Sequence, residues 1–305
     1  MRVLGAGRKM RIVLLCNWCS SRELAETWRK MLPRGLGVEL ADAAEEAEPD
    51  LWVVVNGAPA GARYDPARTI LLQMEPNLPV DEARERAFMA FLRTGRDWNT
   101  VEWHLSMTYD ALLVHEPRKP RPLARAVTAV LSGKCTDPGH RLRHDLARMA
   151  QARGQPFTVW GARGPDDQSY AHADYRGRLP YHAKDDALFP YRYHLAVENH
   201  AIPYYATEKL YDALLAECLP FYWGAPNAHE RVDPEAFIVL PLELDPEGGR
   251  ATPASLLAAL ARIRRAVRED EWTRRLPAIR RAKRALLRRH SCFVRVAALA
   301  RGARG

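Results

Sequence analysis

No apolar run in this 305-residue chain approaches the roughly 18 residues that a bilayer crossing requires. Runs such as residues 12–16 and 51–55 have the size of strands, which excludes a transmembrane channel. The first ten residues are basic but lack an apolar segment of signal-peptide length, so the expectation is a soluble, unprocessed, cytoplasmic protein. Cysteine is scarce. Its count of five is odd, which argues against a disulfide scaffold, and 18 glycines exclude a collagen repeat. HExxH spacing and a Walker A sequence are both missing. Gly5-Ala6-Gly7 follows no strand and so is not a dinucleotide fingerprint. Cys16-Asn17-Trp18-Cys19 has the spacing of a redox pair or half a zinc site, but no second pair exists to complete four ligands. These thiols read as buried at the end of the first strand. Asp166-Asp167 and Asp185-Asp186 lie in polar loops without an adjacent apolar strand, and no metal or other cofactor is expected.

Acidic residues are nearly absent from one region only. Residues 262–305 hold 15 Lys/Arg and three acids, a net charge of +12, whereas the remaining residues hold 31 bases and 34 acids, a net of −3. A near-neutral body with a basic tail argues against a nucleic-acid partner, which requires a basic face on the fold itself. Apolar positions Leu276, Ile279, Ala282, Leu286, Leu287, Phe293, Val294 and Val296 recur among the tail's arginines at roughly helical spacing. That pattern predicts a helix docked on the fold to about residue 287, then a mobile basic end able to lie on an anionic membrane.

What the chain does contain is an alternation of strand and helix patterns. Residues 11–16, 38–40, 51–55, 69–74 and 109–114 read as strands, with a capped helix after Ser20-Ser21 and a helical pattern over 81–93. A basic, proline-broken stretch at 118–122 marks the boundary. Strands follow at 127–131, 157–160, 193–197, 219–223 and 237–240, and helices at 139–153, 207–217, 251–268 and 272–289. Pro277 should kink the last helix or mark its true start. The expected class is α/β, with two Rossmann-like domains, 1–122 and 123–268, facing an interdomain cleft, and a basic helical tail at 269–305. Ligands in such folds bind beyond the carboxyl ends of the strands.

The residues at those ends are informative. The strand before Glu198-Asn199 is followed by an aromatic loop with Tyr204 and Tyr205, then Thr207 as a helix cap, with Glu208 and Lys209 in the first turn. A helix N-terminus beside a lysine suits a diphosphate, and a carboxylate there suits sugar hydroxyls. The same residues equally read as a first-turn acid, a solvated lysine and core tyrosines.

This window resembles the donor-binding signature of glycosyltransferase family 10, the α-1,3/1,4-fucosyltransferases. The resemblance rests on Val197-Glu198-Asn199, Tyr205-Ala206-Thr207-Glu208-Lys209, residues 220–226 and residues 233–238, with Val197 departing from the family's Phe. Upstream, Leu131-Ser132 and residues 138–143 resemble the family's Ser-Asn loop and its helix-borne phosphate arginine. Register favours Arg143, with Arg141 as the alternative. Residues 72–76 resemble the family's strand ending in Glu-Ser-Pro, although the Ser is missing, and residues 103–110 resemble an acceptor-side stretch.

The resemblance implies a GT-B enzyme that moves fucose from GDP-fucose to a GlcNAc-containing glycan, α-1,3-linked, of a lipopolysaccharide or glycoprotein. Glu75 would be the catalytic base, and Arg143, Glu198, Asn199, Tyr205, Glu208 and Lys209 would bind the donor, with inversion and without metal. The rivals are a related transferase with another nucleotide sugar, and a module binding membranes or acidic polymers through its tail, peripheral on the inner face of the membrane.

Overall fold

The computed structural model describes residues 8–46, 48–76, 78, 82–119, 127–155, 157–161, 172–247 and 249–302. They form two compact units. The first takes its described residues from 1–102, 107–114 and 287–305, and the second from 103–106 and 115–286.

The first unit is built on β1 (Met10–Cys16), β2 (Val38–Ala41), β3 (Leu51–Val55), β4 (Thr69–Gln73) and β5 (Ala90–Arg93), all parallel in the order β2-β1-β3-β4-β5. Ile12, Val13 and Leu14 are each fully buried, as a strand covered on both faces requires. The helix α1 (Ser21–Trp28) starts where the sequence indicates. Ser20 accepts from the Glu23 N–H, and Glu23 reaches back to the Ser20 N–H at 2.8 Å. Cys16 and Cys19 are free thiols with Sγ atoms 3.4 Å apart, Cys16 buried and Cys19 half-buried. Burial and the neighbouring Cys16 push the Cys19 thiol up to about 12.

Two expectations for this unit change. The helical pattern over 81–93 yields only the short α2 (Glu82–Glu85), because residues 90–93 pair with β4 as the edge strand. Residues 109–114 form α3 (Tyr109–Val114), not a strand. The Leu112 N–H bonds the Thr108 carbonyl at 2.9 Å, and the Ala111 N–H bonds Thr108 Oγ1 at 3.3 Å.

The second unit repeats the plan. Strands β6 (Val127–Leu131), β7 (Phe157–Gly161), β8 (Tyr193–Val197), β9 (Leu219–Trp223) and β10 (Ile238–Val239) lie parallel in the order β10-β9-β8-β6-β7. Counted within each unit, both sheets have the doubly wound order 2-1-3-4-5, in which the order reverses between the first and third strands. The helices are α4 (Pro138–Ala152), α5 (Asp185–Leu188), α6 (Glu208–Leu215), α7 (Pro253–Arg268) and α8 (Glu271–Ala285). Pro277 lies inside α8, so it does not mark the helix start.

The C-terminal segment differs from the expected tail. Residues 269–286 belong to the second unit, and the described residues beyond 286 belong to the first. A π-helical turn over Leu286–His290 leads into α9 (Cys292–Gly302). This last helix is docked. Phe293 and Val296 are fully buried, and the Cys292 N–H bonds the Val101 carbonyl at 3.0 Å. Ile279, Ala282, Leu286 and Leu287 are buried as well. Docking was expected only to about residue 287, but Phe293 and Val296 beyond it are core as well, in a helix that runs to Gly302. Among the described residues no helix is long and apolar enough to cross a membrane. Residues 120–122 of the expected linker and the pair Asp166-Asp167 lie outside the described residues.

Candidate functional site

The site is set by the switch point of the second sheet. Strands β6 and β8 pair only through Val127↔Tyr193 and Thr128↔His194, at their amino ends. Toward their carboxyl ends no pairing joins them, and a crevice of about 690 Å³ opens there. The walls come from the residues after β6, the first turns of α4, the end of β8 and the first turns of α6.

The α4 helix is held hard against this edge. Its Gly139 N–H bonds the Asn199 carbonyl at 3.0 Å. A Cβ on Gly139 would lie 1.7 Å from the Glu198 carbonyl oxygen, so the close approach needs glycine. Arg143, one turn on, is 4% exposed and lines the crevice. Its guanidinium donates to the Val197 carbonyl at 2.6 Å and to Asn199 Oδ1 at 3.2 and 3.3 Å. Burial pulls its pKa down, against the pull of nearby Glu198 and Glu208. Arg141 points elsewhere, bonding the carbonyls of Gly249, Cys135 and Thr136 outside the lining. Of the two arginines, the structure puts Arg143 at the site. His140 also faces it, buried and pushed down to about 4 by burial and by Arg143.

The first turn of α6 brings Glu208 and Lys209 to the opposite wall. Thr207 caps this helix, and Glu198 fixes Thr207. Glu198 is fully buried, and its carboxylate accepts from the Thr207 N–H at 2.8 Å and the Thr207 hydroxyl at 2.6 Å. Burial raises the Glu198 pKa. Glu198 thus holds the helix start and does not itself line the crevice. Tyr205, 1% exposed, does not line it either. Asn199 does line the crevice.

Lys209 Nζ lies 3.1 Å from Thr207 Oγ1, 3.3 Å from Glu208 Oε1 and 3.7 Å from Glu198 Oε2. Burial pushes the Glu208 carboxyl up, but Lys209 and Lys184 outweigh it and hold the carboxyl well below its ordinary value. Lys184, His104 and Asp212 were missed as site residues by sequence reasoning. Lys184 Nζ pairs with Asp212 Oδ2 at 2.9 Å and Glu208 Oε1 at 3.4 Å. Asp212 Oδ1 accepts from the His104 N–H at 2.8 Å. One signal existed: Glu208 and Asp212 are i and i+4 on one helix face.

Glu75 lies in the first unit, exposed, just past the carboxyl end of β4. Asn56 Oδ1 accepts from the backbone N–H groups of Met74 at 2.7 Å and Glu75 at 3.3 Å, which fixes the turn that presents it. Asp185 binds the Ser106 N–H and hydroxyl at 2.9 and 2.8 Å, a structural use of that carboxylate. Among the described residues no cluster of three or more His, Cys, Asp or Glu could hold a metal ion.

The chain is similar to known glycosyltransferases in this region. Residues 144–241 match the family described as glycosyltransferase family 10 (fucosyltransferase) C-term. An α-(1,3)-fucosyltransferase of Helicobacter pylori is 34% identical over 65 residues, 21% of this chain and 14% of the relative. An α-(1,4)-fucosyltransferase of Arabidopsis thaliana is 42% identical over 52 residues, 17% of this chain and 13% of the relative. The matched stretches thus span only about a seventh of those relatives. In fold, a crystal structure of an α1,3-fucosyltransferase with GDP matches with TM-score 0.53 at 16% identity, over 90% of this chain and 84% of that one. An α-glucosyltransferase in complex with UDP matches with TM-score 0.55 at 7% identity, over 96% and 100%. Two parallel Rossmann-like sheets give the chain a GT-B fold, and its residues 144–241 match the C-terminal domain of glycosyltransferase family 10.

Proposed function

We propose that the protein is a fucosyltransferase that moves fucose from GDP-fucose to a hydroxyl of a GlcNAc-containing glycan, with inversion and an α-1,3 link. The observation that supports this reading is the cationic crevice at the second sheet's switch point, lined by Arg143 and Lys209 and lying largely within the family 10 match. A diphosphate there would meet the Arg143 guanidinium, the Lys209 ammonium and the positive dipole end of α6. These are preorganised for the charge that grows on the leaving GDP, a role worth about 3 kcal/mol per donor in comparable sites. Glu208 is ionised and suited to accept from sugar hydroxyls. Glu75, on an exposed strand-end turn, is the proposed base for the acceptor hydroxyl.

A donor panel of GDP-fucose, GDP-mannose and UDP-GlcNAc, followed by linkage and anomeric analysis of the product, tests the reading. Turnover with GDP-fucose and an inverted anomeric centre are expected, and the Glu75→Gln variant should bind GDP yet transfer nothing. Turnover of UDP-GlcNAc alone would place the chain with the other nucleotide-sugar transferases. Support for peripheral contact with an anionic membrane is reduced to exposed arginines such as Arg264, Arg265, Arg288 and Arg289.

A further inference from the structure

The geometry points to Lys184 as a positioning residue that keeps the Glu208 carboxylate paired and open to donor hydroxyls while Lys209 serves the diphosphate. The inference rests on the proposed donor site. Glu208 Oε1 is shared by two ammonium groups, Lys209 at 3.3 Å and Lys184 at 3.4 Å. The two cations are not equivalent. Lys209 is the more exposed, at 22% against 16%, and besides Glu208 it has a hydroxyl at 3.1 Å and the buried Glu198 at 3.7 Å. A diphosphate carries more charge than a lone carboxylate and would draw Lys209 toward itself. Glu208, only 15% exposed, would then stand without its nearest cation.

Lys184 is tied in place against the same pull. Its ammonium is nearer to Asp212, at 2.9 Å, than to Glu208, and Asp212 is 1% exposed. Asp212 is itself fixed by the His104 N–H at 2.8 Å, and the Lys184 N–H bonds the His104 carbonyl, also at 2.8 Å. The residue thus closes a ring of Lys184, His104 and Asp212 that leaves Nζ facing Glu208. Burial opposes charge on Lys184, but Asp212 and Glu208 outweigh it and raise its pKa, so the ammonium persists. The charged and titratable groups around Glu208 are Lys184, Lys209, His104, Arg143, Asp212 and Glu198. His104 is driven well below its ordinary value by burial and by Lys184, so it stays neutral and does not replace the lysine.

Calorimetric titration of the full chain with GDP, between pH 8 and pH 6, separates the possibilities. Affinities are read as ratios to wild type at each pH, because phosphate itself titrates in this range. Lys184→Met should weaken GDP binding by roughly tenfold at pH 8 and by more at pH 6, as Glu208 takes up a proton. Lys184→Arg should restore most of the affinity. In a Glu208→Gln background, Lys184→Met should cost nothing further. If Lys184→Met leaves Asp212 too poorly paired to fold, Lys184→Met with Asp212→Asn removes both charges and should show the same pH-dependent loss. Wild-type affinity in the Lys184→Met protein, or a loss that adds fully to that of Glu208→Gln, would overturn the role. Failure of wild type itself to bind GDP would overturn the donor site and this inference with it.

Discussion

Gly139 shows how little room the α4 side of the crevice leaves. A single added methyl would overlap the Glu198 carbonyl, so α4 would have to back away from β8 and take Arg143 with it. Gly139→Ala should therefore cost about 2 kcal/mol of stability, in the range of overpacked sites. It should also weaken GDP binding at least tenfold. Denaturant unfolding and calorimetry check both, and a variant matching wild type in stability would contradict the packing argument. Legibility at this scale followed local chemistry. Thr207, Glu208 and Lys209 were readable because cap, first-turn acid and lysine follow one another in the chain. Glu198 and Tyr205 stand beside them in the sequence yet do not line the crevice, because adjacency in sequence does not tell which side of a strand end a side chain takes. Lys184 and His104 reach Asp212 from 28 and 108 residues away, and no local pattern announces such a ring.

Elements were legible where their pattern was long and ambiguous where it was short. The five-residue runs of both sheets and the capped α1 and α6 stand where the sequence puts them. The run at 109–114 is mostly apolar, six residues long and ends in valine, which suits a strand or a helical turn equally, and Thr108 decides for helix. The corner between α7 and α8 carries a testable consequence. Glu271 is 3% exposed and is gripped by Arg262 at 2.6 and 3.1 Å and by Arg275 at 2.9 Å. The hydrogen bond from Arg262, then the charges of both arginines, lower its pKa below the unfolded value. Such a group contributes stability that is fully present above about pH 4.5 and is lost as pH falls through the folded pKa. Glu271→Gln should cost about 2 kcal/mol at neutral pH, since it leaves part-buried arginines uncompensated. The gap to wild type should narrow as pH falls below about 4.5. Paired urea melts at pH 7 and pH 3.5 read this out, and an unchanged gap at low pH would show that charge is not what the corner uses.

At the scale of the molecule, the two-sheet plan was legible from the alternation of patterns, but the fate of the basic end was not. Arginines between apolar residues describe a membrane-surface helix and a docked helix equally well, and only the three-dimensional core decides between them. Here the apolar positions are spent on the protein, while Arg280, Arg281 and Lys283 pair with Glu217 and Asp233. The docking of α9 also bears on the order of events during synthesis. The first unit draws on both ends of the described chain, whereas the second lies almost wholly within 115–286. Translation delivers the first sheet early, yet the helix that buries Phe293 and Val296 follows the whole second unit. The later-made unit can thus complete its core first, reversing the usual N-to-C sequence of domain folding. Chains ending after Leu286 should show a protease-resistant fragment from the second unit and rapid cleavage within residues 8–102. Equal resistance of both units would mean that the early sheet matures without its closing helix.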